Sequence, residues 1–372
     1  MSVQSITVGL GARSYDIVIG EALLDQAGER LAPLLSRPRV FVVTDRNVRR
    51  AQGGRLKKAL NSAGIAVETV ALAPGEASKS LRRLEGLLNR FAELGVERAD
   101  LIVAFGGGVV GDLAGFAAAV WQRGCRFAQI PTTLLAQVDS AVGGKTAVNI
   151  AAGKNLAGAF HQPAIVLADL DALATLPDRE MRAGYAEIVK YGALGDTAFF
   201  DWLERHGPDV LARSPQALMR AVRRCCEMKA AIVAADEREG GARALLNFGH
   251  TFGHALEAAA GFSDRLLHGE AVAAGLGLAF DFSAAEGLCE RSDAARLKSH
   301  LHAAGLPAGI EGPAAVGATA DTLFARMRVD KKSSGGAMTL ILARRIGEAF
   351  VAQGVDESRL LRFLETKTVE RA

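Results

Sequence analysis

Apolar and polar positions alternate in two distinct ways along this chain. Over the first half, short apolar runs recur at 6–10, 15–19, 40–44, 67–72, 101–105 and 127–130, and each reads as a strand. Segments with a helical period fall between several of them, at 20–35, 48–63 and 80–94. Strands alternating with helices predict crossover units and a mainly parallel sheet covered on both faces. The run at 101–105 is apolar throughout, as a central strand buried on both sides must be. From about Arg179 the period becomes mostly helical. Ser214 and Pro215 read as an N-cap and first helical residue, opening a helix to about Ala235, and further helices are predicted at 247–260 and 269–286. Gly261 and Gly305 stand where helices should end. Only 338–342 reads as a strand in this half. The change of period, between about Pro163 and Pro177, is the expected domain boundary, giving an α/β domain over 1–175 and a mainly helical domain over 176–372. No linker marks it, which suggests two domains that share a ligand cleft.

Composition narrows the class. The 372 residues are 49% apolar and 23% charged, a globular balance with enough chain for two domains. Lys and Arg number 44 against 41 Asp and Glu, and no basic block stands out, so no nucleic-acid or membrane partner is expected. No apolar run approaches the ~18 residues of a membrane span. The four cysteines, Cys125, Cys225, Cys226 and Cys289, form no C-x-x-C pair, consistent with core packing in a reducing, cytoplasmic compartment.

Three constellations could carry chemistry. Gly106-Gly-Gly-Val-Val-Gly111-Asp112 follows the buried strand and opens an apolar helix, where glycines let a phosphate approach backbone N–H groups at the positive end of a helix dipole. Gly106, Gly108 and Gly111 fit G-x-G-x-x-G, but no acid follows about 20 residues later, so any dinucleotide is held in a non-standard way. A second cluster, rich in lysine, glycine and hydroxyl groups, runs from Thr132 and Thr133 through Asp139, Ser140, Lys145 and Asn149 to Lys154 and Asn155. Gly143-Gly-Lys145-Thr146 resembles the end of a P-loop, but Asp139 occupies the position that needs the earlier glycine, so a triphosphatase is excluded and a phosphorylated ligand is retained.

The third constellation suits a metal. His250 and His254 are spaced i, i+4 on one helix face, and His268 opens the next helix. Spacing alone takes His250 and His254 as ligands, with a carboxylate completing a catalytic site; Glu187, set in the apolar run Ala186-Glu-Ile-Val-Lys190, is the best candidate. Lys190 shares its face, and Lys229, Arg243 and Asn247 add cations and an amide in the helical half. Asp330-Lys331-Lys332 is a short charge run.

Taken together, Pro74-Gly-Glu-Ala-Ser-Lys79, the stretch 106–116, Gln129-Ile-Pro-Thr-Thr through Asp139, Val142-Gly-Gly-Lys-Thr-Ala-Val-Asn149, Ala186-Glu-Ile-Val-Lys-Tyr-Gly192, Leu246-Asn-Phe-Gly-His-Thr-Phe-Gly-His254 and Leu267-His-Gly-Glu resemble the 3-dehydroquinate synthase family of sugar-phosphate cyclases. The resemblance covers about residues 40–345. It implies an N-terminal dinucleotide-binding α/β domain, a mostly α-helical metal-binding domain and an active site in the interdomain cleft. It implies NAD and a divalent metal, zinc first and cobalt as the alternative. The implied reaction converts 3-deoxy-D-arabino-heptulosonate 7-phosphate to 3-dehydroquinate and phosphate, in the shikimate route to aromatic amino acids. The small-molecule partner is thus a phosphorylated keto acid, and the assembly a homodimer.

The resemblance also assigns roles. It makes Glu187, His250 and His268 the metal ligands and moves His254 to substrate contact. Further substrate contacts are Asp139, Lys145, Asn155, Lys190, Lys229, Arg243, Asn247 and one of Lys331 or Lys332, with Arg123 reaching from a partner subunit. Cofactor contacts are Pro74, Gly75, Glu76, Ala77, Ser78 and Lys79; Gly107, Gly108, Val109, Val110, Gly111 and Asp112; Thr132, Thr133, Lys145 and Lys154; and the turn Ala172, Leu173, Ala174 and Thr175. The chain departs from the family pattern at Ala141, Ile150 and His161, the last where an aromatic ring is common.

Overall fold

The computed structural model describes residues 3–333 and 338–369, with the side chains of 329–333 outside the description. The chain divides into two compact units, Met1–Pro177 with Arg213–Arg238, and Asp178–Ala212 with Glu239–Ala372.

The first unit is built on a seven-stranded sheet. Its strands are β1 (Gln4–Val8), β2 (Tyr15–Gly20), β3 (Arg39–Asp45), β4 (Ala66–Leu72), β5 (Leu101–Gly106), β6 (Arg126–Pro131) and, after a separate hairpin of β7 (Lys145–Ile150) and β8 (Gly153–Phe160), β9 (Ile165–Asp169). Spatial order is β1-β2-β9-β6-β5-β3-β4, and every neighbouring pair is parallel except β1 with β2. Alternation sorts the side chains. Val40, Val42, Leu101, Val103 and Phe105 face a core closed by Leu31, Leu56 and Leu60 of α1 (Ala27–Leu31) and α2 (Arg46–Ser62). Phe41, Val43, Ile102 and Ala104 face the opposite core, closed by α3 (Leu81–Glu93) and α4 (Gly108–Val120).

Several expected elements differ. The helix expected over 20–35 shortens to α1 followed by a tight turn, where Pro33 removes an N–H. The β7–β8 hairpin was not expected as strands, because Lys, Asn and Gly are poor strand formers and the residues looked like a binding loop. His161 keeps the aromatic role of its position: its ring stacks on Phe127 at 5.2 Å, with Nε2 2.8 Å from the Cys125 carbonyl.

The second unit carries α5 (Asp178–Gly195), α6 (Thr197–Leu211), α8 (His250–Ala259), α9 (His268–Ala285), α10 (Arg291–Ala303), α11 (Ala320–Ser333), the hairpin β10 (Thr339–Arg345) with β11 (Glu348–Gln353), and α12 (Glu357–Val369). Backbones of α5, α8 and α9 meet directly: a Cβ on Gly269 would lie 1.9 Å from the Ala183 carbonyl, and one on Gly275 2.0 Å from that of Gly249. Gly261 and Gly305, with φ of +74° and +72°, follow α8 and α10 as expected.

The helix α7 (Pro215–Ala235) departs from the expected ranges of 1–175 and 176–372. It returns to the first unit and packs on β1, β2 and the turn 136–140. An apolar stripe such as Leu218, Val222, Cys225 and Cys226 shows that a helix is buried, but not which core it covers. Among the described residues no helix is long and apolar enough to cross a membrane.

Candidate active site

In the second unit, three helices converge on one carboxylate. The run Tyr185–Leu194 of α5 is buried on all sides and carries Glu187 and Lys190 one turn apart. Their ion pair, Nζ to Oε2 at 2.7 Å, joins side chains only 1% and 0% exposed. His250 starts α8 and His268 starts α9. The Nε2 atoms of His250 and His268 lie 3.7 and 3.5 Å from Glu187 Oε1. These separations are too long for hydrogen bonds. They match the ~3.3 Å between ligand atoms of a tetrahedral ion with bonds of about 2.0–2.1 Å. The three ligand atoms lie within 4.8 Å of one another.

The other ring nitrogens are engaged. His250 Nδ1 is 3.2 Å from the Phe248 carbonyl, and His268 Nδ1 is 3.1 Å from Glu257 Oε2. Nδ1 thus serves as donor in both rings, and both Nε2 atoms face Glu187. His254 is exposed, its ring 5.4 Å from that of His250 and 6.0 Å from that of His268. Burial, aided by the Lys190 charge, pushes His250 down to about 3, so this imidazole is neutral. Burial acts in the same sense on His268, but the Glu257 and Glu187 carboxylates outweigh it and lift the ring to about 10. A divalent ion binding this trio competes with that proton.

The entry to α9 is clamped. Arg179 donates to both carboxylate oxygens of Glu270, at 2.7 and 2.8 Å, and to the carbonyls of Asp264 and Arg265. Glu270 also accepts the Leu267 N–H at 2.8 Å. Arg243 is buried in the short helical segment Ala242–Asn247, and Asn247 Nδ2 donates to Glu239 Oε1 at 3.2 Å. Glu239 and Glu257 were not foreseen. The available signals were an acid before Gly240-Gly241 at Glu239, and a carboxylate two turns from His250 among apolar neighbours at Glu257.

In the first unit, Gly107 caps α4 and Gly108 begins it. A Cβ on Gly107 would lie 2.9 Å from Thr133 Cγ2, and one on Gly108 3.0 Å from Ser140 Oγ. The Thr132 N–H donates to the Gly106 carbonyl at 3.0 Å. Among the described residues Thr132 Oγ1 and Ser140 Oγ are buried with no hydrogen-bond partner, while α4 has no side-chain cap and its first N–H groups lack helical acceptors. Unsatisfied hydroxyls beside a bare helix N-terminus fit an anionic ligand. Val109 and Val110 form the first turn of α4, Val110 being buried.

Around this turn the 74–79 segment is fastened from several sides. Gly75 has φ +94°, Ser78 Oγ donates to the Ala73 carbonyl, and Lys79 pairs with Asp112. Glu76 accepts from Asn149 Nδ2 at 2.7 Å and lies 3.8 Å from Lys154 Nζ, while Asn149 Oδ1 accepts the Asn155 N–H at 2.9 Å. The Ala172–Thr175 turn is tied to α2, where Gln52 Nε2 donates to the Ala172 carbonyl and to Thr175 Oγ1. Lys145 opens β7 behind Gly143 and Gly144, whose φ values are +94° and +64°. Arg123 is exposed on a turn where it and Gln122 have φ of +67° and +46°.

Lys229 differs from its expected setting in the helical domain. It belongs to the first unit, where Nζ donates to the Asp139 carbonyl and to Asp139 Oδ1, at 2.7 and 2.9 Å. The side chains of Lys331 and Lys332 lie outside the described residues.

Residues 69–183 match the family model for the 3-dehydroquinate synthase N-terminal region, and residues 184–333 that for its C-terminal region. The chain belongs to the 3-dehydroquinate synthase family. A 3-dehydroquinate synthase of Caulobacter vibrioides is 58% identical over 363 residues, covering 97% of this chain and 98% of that one. Among solved structures, a 2-epi-5-epi-valiolone synthase from Streptomyces hygroscopicus with NAD⁺ and Zn²⁺ bound superposes with a TM-score of 0.89 at 30% identity, over 97% of this chain and 99% of the other. A 2-deoxy-scyllo-inosose synthase complexed with carbaglucose-6-phosphate, NAD⁺ and Co²⁺ gives 0.86 at 25% identity, over 98% and 100%. Members of the family and its structural neighbours thus share the α/β plus helical plan of this chain.

Proposed function

We propose that this chain converts 3-deoxy-D-arabino-heptulosonate 7-phosphate to 3-dehydroquinate and phosphate, the carbon–oxygen lyase step of aromatic amino-acid biosynthesis. The observation that carries the reading is the donor set Glu187, His250 and His268 with Lys190 ion-paired beside it, in a chain of this family. Two imidazoles, His268 once its proton is displaced, and one carboxylate suit Zn²⁺, with Co²⁺ as a substitute. The turn Gly107–Gly111 with Thr132, Thr133, Lys154 and the 74–79 segment would hold NAD. When bound, these groups supply reversible hydride acceptance and Lewis-acid polarisation of a substrate hydroxyl.

The residues of the chain supply position and charge. Lys190, held by Glu187, presents an ammonium at the donor set, where it stabilises charge that develops on a substrate oxygen. Arg243 would read the carboxylate of the keto acid with two parallel N–H groups. Lys145 and Asn155 would bind the phosphate, and Lys229, which donates to Asp139 Oδ1, would contact the same substrate. His254, exposed with its ring 5.4 Å from that of His250, would contact substrate and could exchange a proton with it or with the leaving phosphate. Arg123 serves the site of a partner subunit in a homodimer, and the enzyme works in the cytoplasm.

The test follows phosphate release from the heptulosonate phosphate with and without a chelator. Release that needs both NAD and divalent metal, without net NADH, is the expected result. NADH accumulating in step with product would replace this reading with that of a simple dehydrogenase.

A further inference from the structure

His250 and His268 are held by different groups. The donor of His250 goes to a main-chain carbonyl, that of His268 to the side chain of Glu257. Glu257 lies on α8, seven residues and two turns beyond His250, and is only 4% exposed. Its neighbours Phe252, Ala255 and Leu256 are buried and apolar, a setting in which a carboxylate is costly unless it is engaged by a strong donor. Oε2 at 3.1 Å from His268 Nδ1 is one such engagement. The opposite edge of the same ring points Nε2 towards Glu187, 3.5 Å away.

We propose that Glu257 is a positioning residue: it accepts the Nδ1–H of His268, fixes that ring's tautomer and orientation, and so turns Nε2 into a metal ligand. The inference rests on the metal site proposed above and adds the residue that prepares it. It has a defined competitor. His254, Glu257 and His268 also bring ligand atoms within 4.8 Å of one another, so Glu257 could itself bind the ion through a set that leaves Glu187 out. Burial favours the orienting role. Glu257 sits behind the ring with its oxygen on Nδ1, while His254 is exposed.

The experiment measures Co²⁺ affinity of the full chain by competition with a chromophoric chelator, with the visible absorption of the bound Co²⁺ recorded. The proteins are wild type, Glu257→Gln, Glu257→Ala and Glu187→Gln. Loss of an orienting partner weakens metal binding by about 10–100-fold. Glu257→Ala is expected in that range, and Glu257→Gln, which keeps an acceptor oxygen and the side-chain shape, is expected between it and wild type with an unchanged cobalt spectrum. If Glu257→Ala does not fold, Glu257→Gln decides alone: at least a threefold loss supports the role, and less overturns it. Abolished binding or an altered spectrum in Glu257→Gln, with Glu187→Gln still binding, would make Glu257 a ligand and overturn the proposal. Glu187→Gln binding as wild type would overturn the metal site itself. Loss in Glu187→Gln with both Glu257 variants within twofold of wild type would overturn only the orienting role.

Discussion

The donor cluster of the helical unit and the glycine turn of the α/β unit are both candidate ligand sites, but made from opposite materials. The cluster is made of side chains that ionise: Glu187 and Lys190 are almost wholly buried, and His250 and His268 are driven in opposite directions by burial and by carboxylates. The glycine turn offers neutral groups, the first N–H groups of α4 and the hydroxyls of Thr132 and Ser140. Buried charges hold one another through strong, long-range forces, so the cluster needs several helices to enclose it. Backbone donors need only a strand, a tight turn and a helix start, all contiguous in sequence. Removing a charge should therefore damage the fold of the cluster, whereas altering the turn should change ligand binding with little harm to the fold.

The largest effect is expected at Lys190. Lys190→Met removes the ammonium 2.7 Å from Glu187 in a buried site, and breaking such a buried pair costs about 3–5 kcal/mol. Denaturant unfolding in a chelator should show that loss, and saturating Zn²⁺ should reduce it, because a cation on Glu187 replaces the lost charge. An equal loss with and without Zn²⁺ would mean that Glu187 does not face the ion.

A smaller effect separates the units by pH. His300 is buried in the helical unit, with Nε2 3.0 Å from the Tyr185 hydroxyl, and burial holds it below its ordinary value. The unfolded chain therefore binds the proton first as pH falls. The stability that this residue contributes is complete above about pH 6.5 and is lost as pH drops towards the folded-state value. Between pH 7 and 5 the slope from this site is at most about 1.4 kcal/mol per pH unit. Unfolding midpoints of wild type and His300→Gln across that range should differ in slope, the variant being flatter. Parallel curves would show that His300 is not the group that titrates.

The smallest effect sharpens the contrast from the other side. Thr132→Val removes a buried hydroxyl that has no partner among the described residues, a group whose burial costs about 1–3 kcal/mol when unsatisfied. Without NAD the variant should be as stable as wild type or more so, by up to about 1 kcal/mol. Its NAD affinity, measured by calorimetry, should fall. A stability loss with unchanged NAD affinity would make Thr132 a structural residue and remove the hydroxyl from the cofactor site.

Much of this arrangement was legible in the chain. Alternation along 40–44 and 101–105, and the glycines at 106–108 after a buried strand, specify their local geometry within a few residues, because each depends on neighbours in sequence. Residue type and spacing pointed to a metal-binding carboxylate, Glu187, with histidines at helical spacing, but took His250 and His254 as the pair; only the family resemblance put His268 in place of His254. The tertiary structure decided the rest. Only the meeting of α8 and α9 turns Nδ1 of His268 to Glu257 and its Nε2 to Glu187, which gathers His268, His250 and Glu187 into one candidate donor group. Only packing sends α7 back to the sheet and gives Lys229 to Asp139. Only pairing turns the lysine- and glycine-rich stretch 145–160 into a hairpin. The physical reason is common to all three: a local pattern states that a face will be buried or a nitrogen satisfied, whereas its partner is set by elements tens of residues away, through contacts with no period to betray them.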